Sequence, residues 1–404
     1  MFPSFSPLVK FLFRKNLLFM IPVILILLLS STTVSAENSI PTDQEYATGS
    51  LSPDDDYSLK LGYAWVSTPE TSLFSITMYD DLYNIAPAAP FFGQSVSLDD
   101  EKYYSGISVV GFEIYEDNND NEALDQKEEV VYSIHLNASQ SYGLSNITKT
   151  VEENTSHYTW GVHYGEIDGF IDPWNSMTSM AKSVIDSFNM SFLLSIYENS
   201  TEWKVDFEIG AFHAYEFTFD NDMNEVILND IDLSDYSLSV LCAMTVSSTD
   251  SVNLVYDDGS DLSTVKIENS NDEIVFESLM DENYTINNVS NKAYTVIASL
   301  DTLPDSSKNT WRYPEKVLTW WNERFEDLSE IPDVPSLDIT KMDLLYRICY
   351  PTWGGDSIIH DPRLKAYFEP VKAKNSSEGE PTSLFLTPVI LGLAVLPILP
   401  NKRQ

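Results

Sequence analysis

The chain has 404 residues, of which 62 are Asp or Glu and 23 are Lys or Arg, giving a formal net charge of −39 at neutral pH. Nucleic acid is excluded as a partner by that balance, because phosphate contact needs clustered cations. An aromatic content of 12% argues against a disordered polyanion, since such chains have too little apolar surface to fold.

Residues 1–36 carry the three parts of an export signal. Lys10, Arg14 and Lys15 precede an apolar run from Leu17 to Leu29, and Val34-Ser35-Ala36 follows in the small-x-small form that signal peptidases cut. The apolar run is shorter than the roughly 18 residues of a spanning helix, so the mature chain is expected to start near Glu37. Residues 37–56 read as a linker. All 62 acids lie between the two ends, which hold five of the 23 bases; the middle of the chain therefore balances near −44. Such a surface attracts cations and repels anionic lipid.

A first β-rich domain is expected over residues 57–170. "LKLGYAWVS" from Leu59, "FEIYE" from Phe112 and "VVYSIHL" from Val130 are short, alternating or apolar runs bounded by turn residues. Between the last two stands "DNNDNEALDQKE", acids and amides set between apolar flanks. From Asp117 this run resembles the EF-hand calcium loop: Asp117, Asn119 and Asn121 take the first three ligand positions, Ala123 would offer its carbonyl, and Asp125 and Glu128 complete the set. The spacing has a physical basis, because Ca²⁺ takes six to eight oxygens from a loop that wraps it. Glu122 stands where that loop has Gly, which makes the sharp turn costlier. The resemblance covers twelve residues flanked by strands, and it implies a Ca²⁺ site without an EF-hand fold. The competing reading is the solvated tip of a hairpin.

"HYTWGVHYGEID", from His157, is the best metal candidate outside that loop. In a strand, His157, Thr159, Gly161 and His163 share one face and Tyr158, Trp160, Val162 and Tyr164 the other. Two imidazoles on one face could converge on a transition metal; groove-edge histidines are the plainer reading.

A second β-rich domain with a leading helix is expected over residues 171–300. Asp172 and Pro173 form an N-cap and first-turn pair, and Trp174, Met177, Met180, Val184 and Phe188 follow at helical spacing. In "WKVDFEI", Trp203, Val205, Phe207 and Ile209 alternate with Lys204, Asp206 and Glu208, the pattern of a half-buried strand. Further strands are expected at "SLSVLCAMTV", "VNLVY", "TVKIE", "EIVFE" and "YTVIASL". "YEFTFDNDMNE" at Tyr215 faintly repeats "FEIYEDNNDNE" at Phe112, consistent with duplication or with one larger β-domain. Its Asp220, Asp222 and Asn224 repeat the first three ligand positions, but Leu228 and Ile231 occupy later ones. "YDDGSD" at Tyr256 reads as an Asp-Gly hairpin turn.

Residues 301–370 are expected to form a helix-containing segment. Pro314 and Glu315 open a helix with Val317, Leu318, Trp321, Phe325 and Leu328 on one side, closed by Pro332, and "SLDITKMDLLYRICY" from Ser336 reads as a third helix. After a linker at 371–383, residues 384–404 read as a membrane anchor or sorting tail: about 16 mostly apolar residues would cover about 24 Å as a helix, before Lys402 and Arg403, which stay inside.

Eight Asn-x-Ser/Thr acceptors occur, at Asn137, Asn146, Asn154, Asn189, Asn199, Asn283, Asn288 and Asn375. Asn199 is expected at a hairpin tip. Cys242 and Cys349, the two cysteines, form a disulfide if they meet in space, as the exported compartment would permit. No Gly-x-Ser-x-Gly elbow, phosphate loop or His-Glu-x-x-His occurs, and His360 beside Asp361 would point to opposite faces of a strand. The expected fold class is thus mainly β, one or two β-sandwich domains with two or three short helices, flanked by a signal peptide and an anchor helix.

In layout and composition the chain resembles archaeal-type surface glycoproteins. That resemblance implies a cell-envelope role. The export signal, the acidic charge, the sequons and the short apolar tail together lead to the expectation of a non-enzymatic, single-pass anchored, acidic surface glycoprotein with a structural, adhesive or interaction role, stabilised by cations such as Ca²⁺, with glycans or other surface proteins as partners. A carbohydrate- or solute-binding lectin-like module and a secreted hydrolase are the alternatives; an aromatic platform would favour the first and two facing carboxylates the second.

Overall fold

The computed structural model describes residues 45–298 and 343–372, except 52–58, 70, 81–89, 99–100, 119, 125–127, 136–141, 154, 171–179, 223, 257–261 and 281–282. Among these residues every regular element is a strand. In chain order they are β1 (Tyr46–Leu51), β2 (Leu59–Ser67), β3 (Thr71–Asp80), β4 (Phe91–Leu98), β5 (Glu101–Glu116), β6 (Glu129–His135), β7 (Tyr142–Leu144) and β8 (Thr148–Glu152). There follow β9 (Thr155–Tyr164), β10 (Ile167–Phe170), β11 (Met180–Ile185), β12 (Phe188–Ile196), β13 (Ser200–Ile209), β14 (Phe212–Phe219), β15 (Glu225–Ile231), β16 (Ser237–Ser248) and β17 (Val252–Tyr256). The last are β18 (Thr264–Asn269), β19 (Glu273–Leu279), β20 (Asn283–Ile286), β21 (Val289–Lys292), β22 (Tyr294–Ala298), β23 (Leu344–Tyr350), β24 (Ile358–His360) and β25 (Arg363–Lys372).

Three antiparallel sheets result. The nine-stranded sheet runs β1-β2-β3-β4-β5-β16-β23-β22, with β6 also paired to β5. The twelve-stranded sheet has the spine β17-β18-β19-β25-β13-β12-β9-β7, and the four-stranded sheet the order β10-β11-β14-β15. Strands from before and after residue 170 share these sheets: β5 pairs β16 over twelve registered positions, and β13, β12 and β9 are neighbours.

The two large sheets face one another across an aromatic layer. Phe92 of β4 meets Phe192, Trp203 and Phe207 of the twelve-stranded sheet edge-on, with ring centroids 5.7, 5.4 and 6.5 Å away. Trp160 donates its indole N–H to Ser75 Oγ at 2.8 Å, and Gln94 donates to Thr201 Oγ1. Burying a large apolar side chain stabilises by about 1.5–3 kcal/mol, so this layer is a principal reason the sheets associate. The alternation expected of "WKVDFEI" is present, with Trp203, Val205, Phe207 and Ile209 buried and Lys204, Asp206 and Glu208 on the outer face.

Two of the expected helices give way to strands where they are described. Met180 and Val184 belong to β11 and Phe188 opens β12. A spacing of four satisfies a strand as well as a helix, and a turn at Asp186–Ser187 separates the two runs. Gly210 closes that turn from across the hairpin: its N–H reaches Ser187 O at 2.8 Å, and a Cβ there would stand 2.7 Å from Ser187 N. Trp174 and Met177 lie outside the described residues. In "SLDITKMDLLYRICY", residues Leu344–Tyr350 are β23, buried along all seven positions between β16 and β22; a strand buried on both faces loses the alternation by which strands are recognised. The helix expected after Pro314 lies outside the described residues, as do the two ends of the chain.

Candidate functional site

The outer face of the nine-stranded sheet carries the acidic loop. β5 and β6 are its hairpin arms. Asp117 caps the tip, its carboxylate accepting the Asn121 N–H at 3.2 Å and the Glu122 N–H at 2.9 Å, while Asn121 Oδ1 accepts the Ala123 N–H at 3.0 Å. Glu122, in the position where an EF-hand loop has Gly, has φ of +65°, and Asp120 has φ of +54°. The left-handed turn is therefore made with non-glycine residues. Beyond it Ala123 and Leu124 fold back onto the sheet and are buried with Tyr115, Val130 and Cys349, and the Leu124 N–H points to Cys349 Sγ at 3.4 Å. Tyr294 donates its hydroxyl to the Glu122 carboxylate, and Lys292 lies 4.2 Å from the Tyr294 ring centroid.

Of the six residues expected to ligate Ca²⁺, the described ones are Asp117, Asn121, Ala123 and Glu128. Asn121 is exposed at the tip and Asp117 is half-buried, whereas Ala123 and Glu128 are buried. Asn119 and Asp125 lie outside the described residues. No group of three or more His, Cys, Asp or Glu spaced to hold a metal occurs among the described residues. The second acidic run is a tight turn between β14 and β15, in which Asp220 Oδ1 accepts the N–H groups of Asp222 and Asn224 at 2.9 and 2.8 Å. Those hydrogen bonds hold the Asp220 carboxyl below its ordinary pKa.

Beside the acidic loop lies a buried ion pair. Arg347 Nε meets Glu113 Oε2 at 2.6 Å, and Ser239 Oγ donates to the same oxygen at 3.2 Å. Arg347 is 4% exposed and Glu113 1%. The sequence signal was available: each is a lone charge inside an apolar strand, "GFEIY" and "LLYRICY", where a charge is costly unless paired.

Cys242 and Cys349 are both buried free thiols, so the disulfide that the sequence left open does not form. On β16 and β23, Cys242 stands opposite Tyr346 and Cys349 opposite Ser239, three registered pairs apart. An odd offset puts the thiols on opposite faces of the sheet: Cys242 joins the main core and Cys349 the acidic-loop cluster. Burial, partly offset by a hydrogen bond with Tyr346, pushes the Cys242 thiol up to about 12. Burial also pushes Cys349 up to about 12 against the Leu124 N–H and the Arg347 charge.

The outer face of the twelve-stranded sheet is a cross-strand polar ladder. His157, Thr159, Gly161 and His163 do share that face, opposite the buried Tyr158, Trp160, Val162 and Tyr164. The two imidazoles do not converge. Six residues of strand separate them by about 20 Å, and each has its own partner: His157 Nδ1 bonds Ser195 Oγ at 2.9 Å, and His163 Nδ1 bonds Asn189 Oδ1. Asn189 Nδ2 continues the row to Glu208 Oε2 at 3.1 Å. Lys204 is held between Asp206 and Asp361, at 2.9 Å from each. Burial raises the Asp206 carboxyl, and the Asp361 charge adds to this against the pull of Lys204. His360, on the other side of its strand, is buried against the Tyr350 hydroxyl at 3.1 Å.

Among the sequons, Asn199 is exposed in the β12–β13 turn, its Nδ2 donating to Glu369 at 3.1 Å. Asn288 is exposed with φ of +63° beside Asn287 at +51°, the two-residue turn of the β20–β21 hairpin. Asn146 and Asn283 are exposed as well. Asn189 is half-buried near the start of β12, and Asn137, Asn154 and Asn375 lie outside the described residues. No family model matches the sequence, and no curated protein matches it significantly.

Proposed function

We propose that this is an exported, surface-anchored acidic glycoprotein with a structural or adhesive role, supported by cations. The observation that carries the reading is the position of the described sequons: Asn199 and Asn288 occupy exposed hairpin turns, where a glycan on the side-chain amide would point into solvent once the Asn199–Glu369 hydrogen bond is given up. The charge supports it too, since a protein balanced at −39 is suited to a medium whose cations screen its self-repulsion. In this reading residues 1–36 are cleaved, residues 384–404 hold the chain in the membrane, and Ca²⁺ is the cation expected at the loop from Asp117 to Glu128.

The test is expression of the full chain in a glycosylating host, followed by fractionation and peptide mass spectrometry. The chain should sediment with membranes, begin near Glu37 and carry glycan on Asn199 and Asn288. Deletion of residues 384–404 should release it into the medium. A full-length chain recovered in the cytosol with its first residues intact and no glycan would overturn the proposal.

A further inference from the structure

The four-stranded sheet ends in an apolar edge. β15 pairs with β14 on one side, and among the described residues no strand pairs with its other side. Its residues Val226, Ile227 and Leu228 are 41%, 58% and 46% exposed, and Phe219, at the end of β14, is 37% exposed. Exposed edge strands in native proteins are commonly blunted by charge, and an apolar one is a template for another segment. Leu228 is the extra residue of a bulge, since Glu216 pairs Asn229 and Phe217 pairs Ile227. Such bulges re-aim side chains and end regular pairing.

The surroundings identify the occupant. Glu225 and Asp230 lie on the strand, Glu216 beside it, and Asp220 and Asp222 in the turn that leads into it. Lys182, the nearby cation, is drawn to the Glu225 carboxylate at 3.9 Å and to the Tyr215 ring. A second copy of this chain would bring the same carboxylates against them. We infer that the β15 edge docks an extended peptide segment of another protein, aliphatic at its centre and flanked by Lys or Arg. Its aliphatic side chains would cover Ile227 and Leu228, and its cations would meet the surrounding carboxylates.

The experiment uses the full chain and two short synthetic peptides of equal charge, one with a valine centre and one with a serine centre, each flanked by lysines, followed by fluorescence anisotropy at physiological salt. The valine peptide should bind and the serine peptide should bind at least about tenfold more weakly. Ile227→Thr, which keeps the β-branched shape, and Ile227→Asp should each weaken the valine peptide to the level of the serine peptide. Val151→Asp, on the distant exposed β8, should leave it unchanged. Equal binding of both peptides, or full binding by the two Ile227 variants with melting unchanged, would overturn the inference. Sedimentation showing a dimer that Ile227→Asp dissociates would also overturn it, by making a second copy the occupant.

Discussion

Cys242 and Cys349 lie on adjacent strands of one sheet yet face opposite layers of the molecule, three registered pairs apart. A disulfide needs Cα atoms about 4.4–6.8 Å apart and Cβ atoms aimed at each other, and this register supplies neither. With both thiols buried and pushed up to about 12, neither is appreciably ionised at pH 7. The native protein should therefore show no thiol reactive with an aromatic disulfide reagent, and two after denaturation. A native-state reading of zero both before and after unfolding would mean a disulfide and would refute the register.

The alternating strands were legible in the sequence because one face is wet and the other dry. β13 and β9 keep that pattern residue by residue, and β2 and β17 fall on the runs named for them. β23 was not legible, because a strand packed on both sides buries every position and leaves only length and turns to identify it. In the acidic loop the polar ligand spacing is visible in the sequence, but the apolar plug that Ala123 and Leu124 make into the sheet is not. A two-residue apolar step inside a polar run has no period, and although one of its neighbours, Tyr115, is on the adjacent hairpin arm, another, Cys349, lies on a strand more than 200 residues away in sequence.

The buried Glu113–Arg347 pair makes an asymmetric prediction. Glu113→Gln leaves the Arg347 charge without its carboxylate in a site 4% exposed, a class of change that costs about 3–5 kcal/mol. Removing both charges, as Glu113→Gln with Arg347→Met, should recover much of that loss. Denaturant titration of the two variants checks this, and the idea fails if the double variant is no more stable than the single one.

Near the start of β1, Glu45 ties the edge of one large sheet to the other. Lys149 Nζ meets its oxygens at 2.6 and 2.7 Å and the Tyr158 hydroxyl donates to it. Burial pushes the Glu45 carboxyl up, but the hydrogen bonds from Lys149 and Tyr158 outweigh it and the net shift is downward. Lys149 is shifted upward, mainly by its bond to Glu45. A lowered carboxyl contributes stability above its unfolded pKa of about 4.3 and loses it as pH falls through the folded value; a raised ammonium contributes below about 10.4 and loses it as pH climbs through its folded value. The pair is partly exposed, so its worth is about 0.2–1 kcal/mol after screening. The stability difference between wild type and Glu45→Gln should be flat from about pH 5 to 9 and shrink as pH falls below the unfolded carboxyl value of about 4.3. A difference that grows on acidification would contradict the assignment.

The acidic loop is held by two separable devices, the apolar plug and, in our proposal, Ca²⁺ at the tip. Leu124 is 2% exposed among Tyr115, Val130 and Cys349, so Leu124→Ala should cost about 2–5 kcal/mol of local or global stability. Because Leu124 covers Cys349, the same change should make that thiol, and not Cys242, reactive in the native protein. In that proposal Ca²⁺ is held by the loop from Asp117 to Glu128. A Kd of roughly 10⁻⁴–10⁻³ M, the range of extracellular sites, would give a gain of about 1.4 kcal/mol at ten times Kd and an upward melting shift of a few degrees at most. Asp117→Asn with Glu128→Gln keeps side-chain size while removing two carboxylates, and it should abolish the Ca²⁺-dependent shift without exposing Cys349. Calorimetry that finds no heat of binding at millimolar Ca²⁺ in the wild type, together with a reactive Cys349 in Leu124→Ala, would leave the plug as the loop's one anchor and assign the stabilising cations to the acidic surface at large.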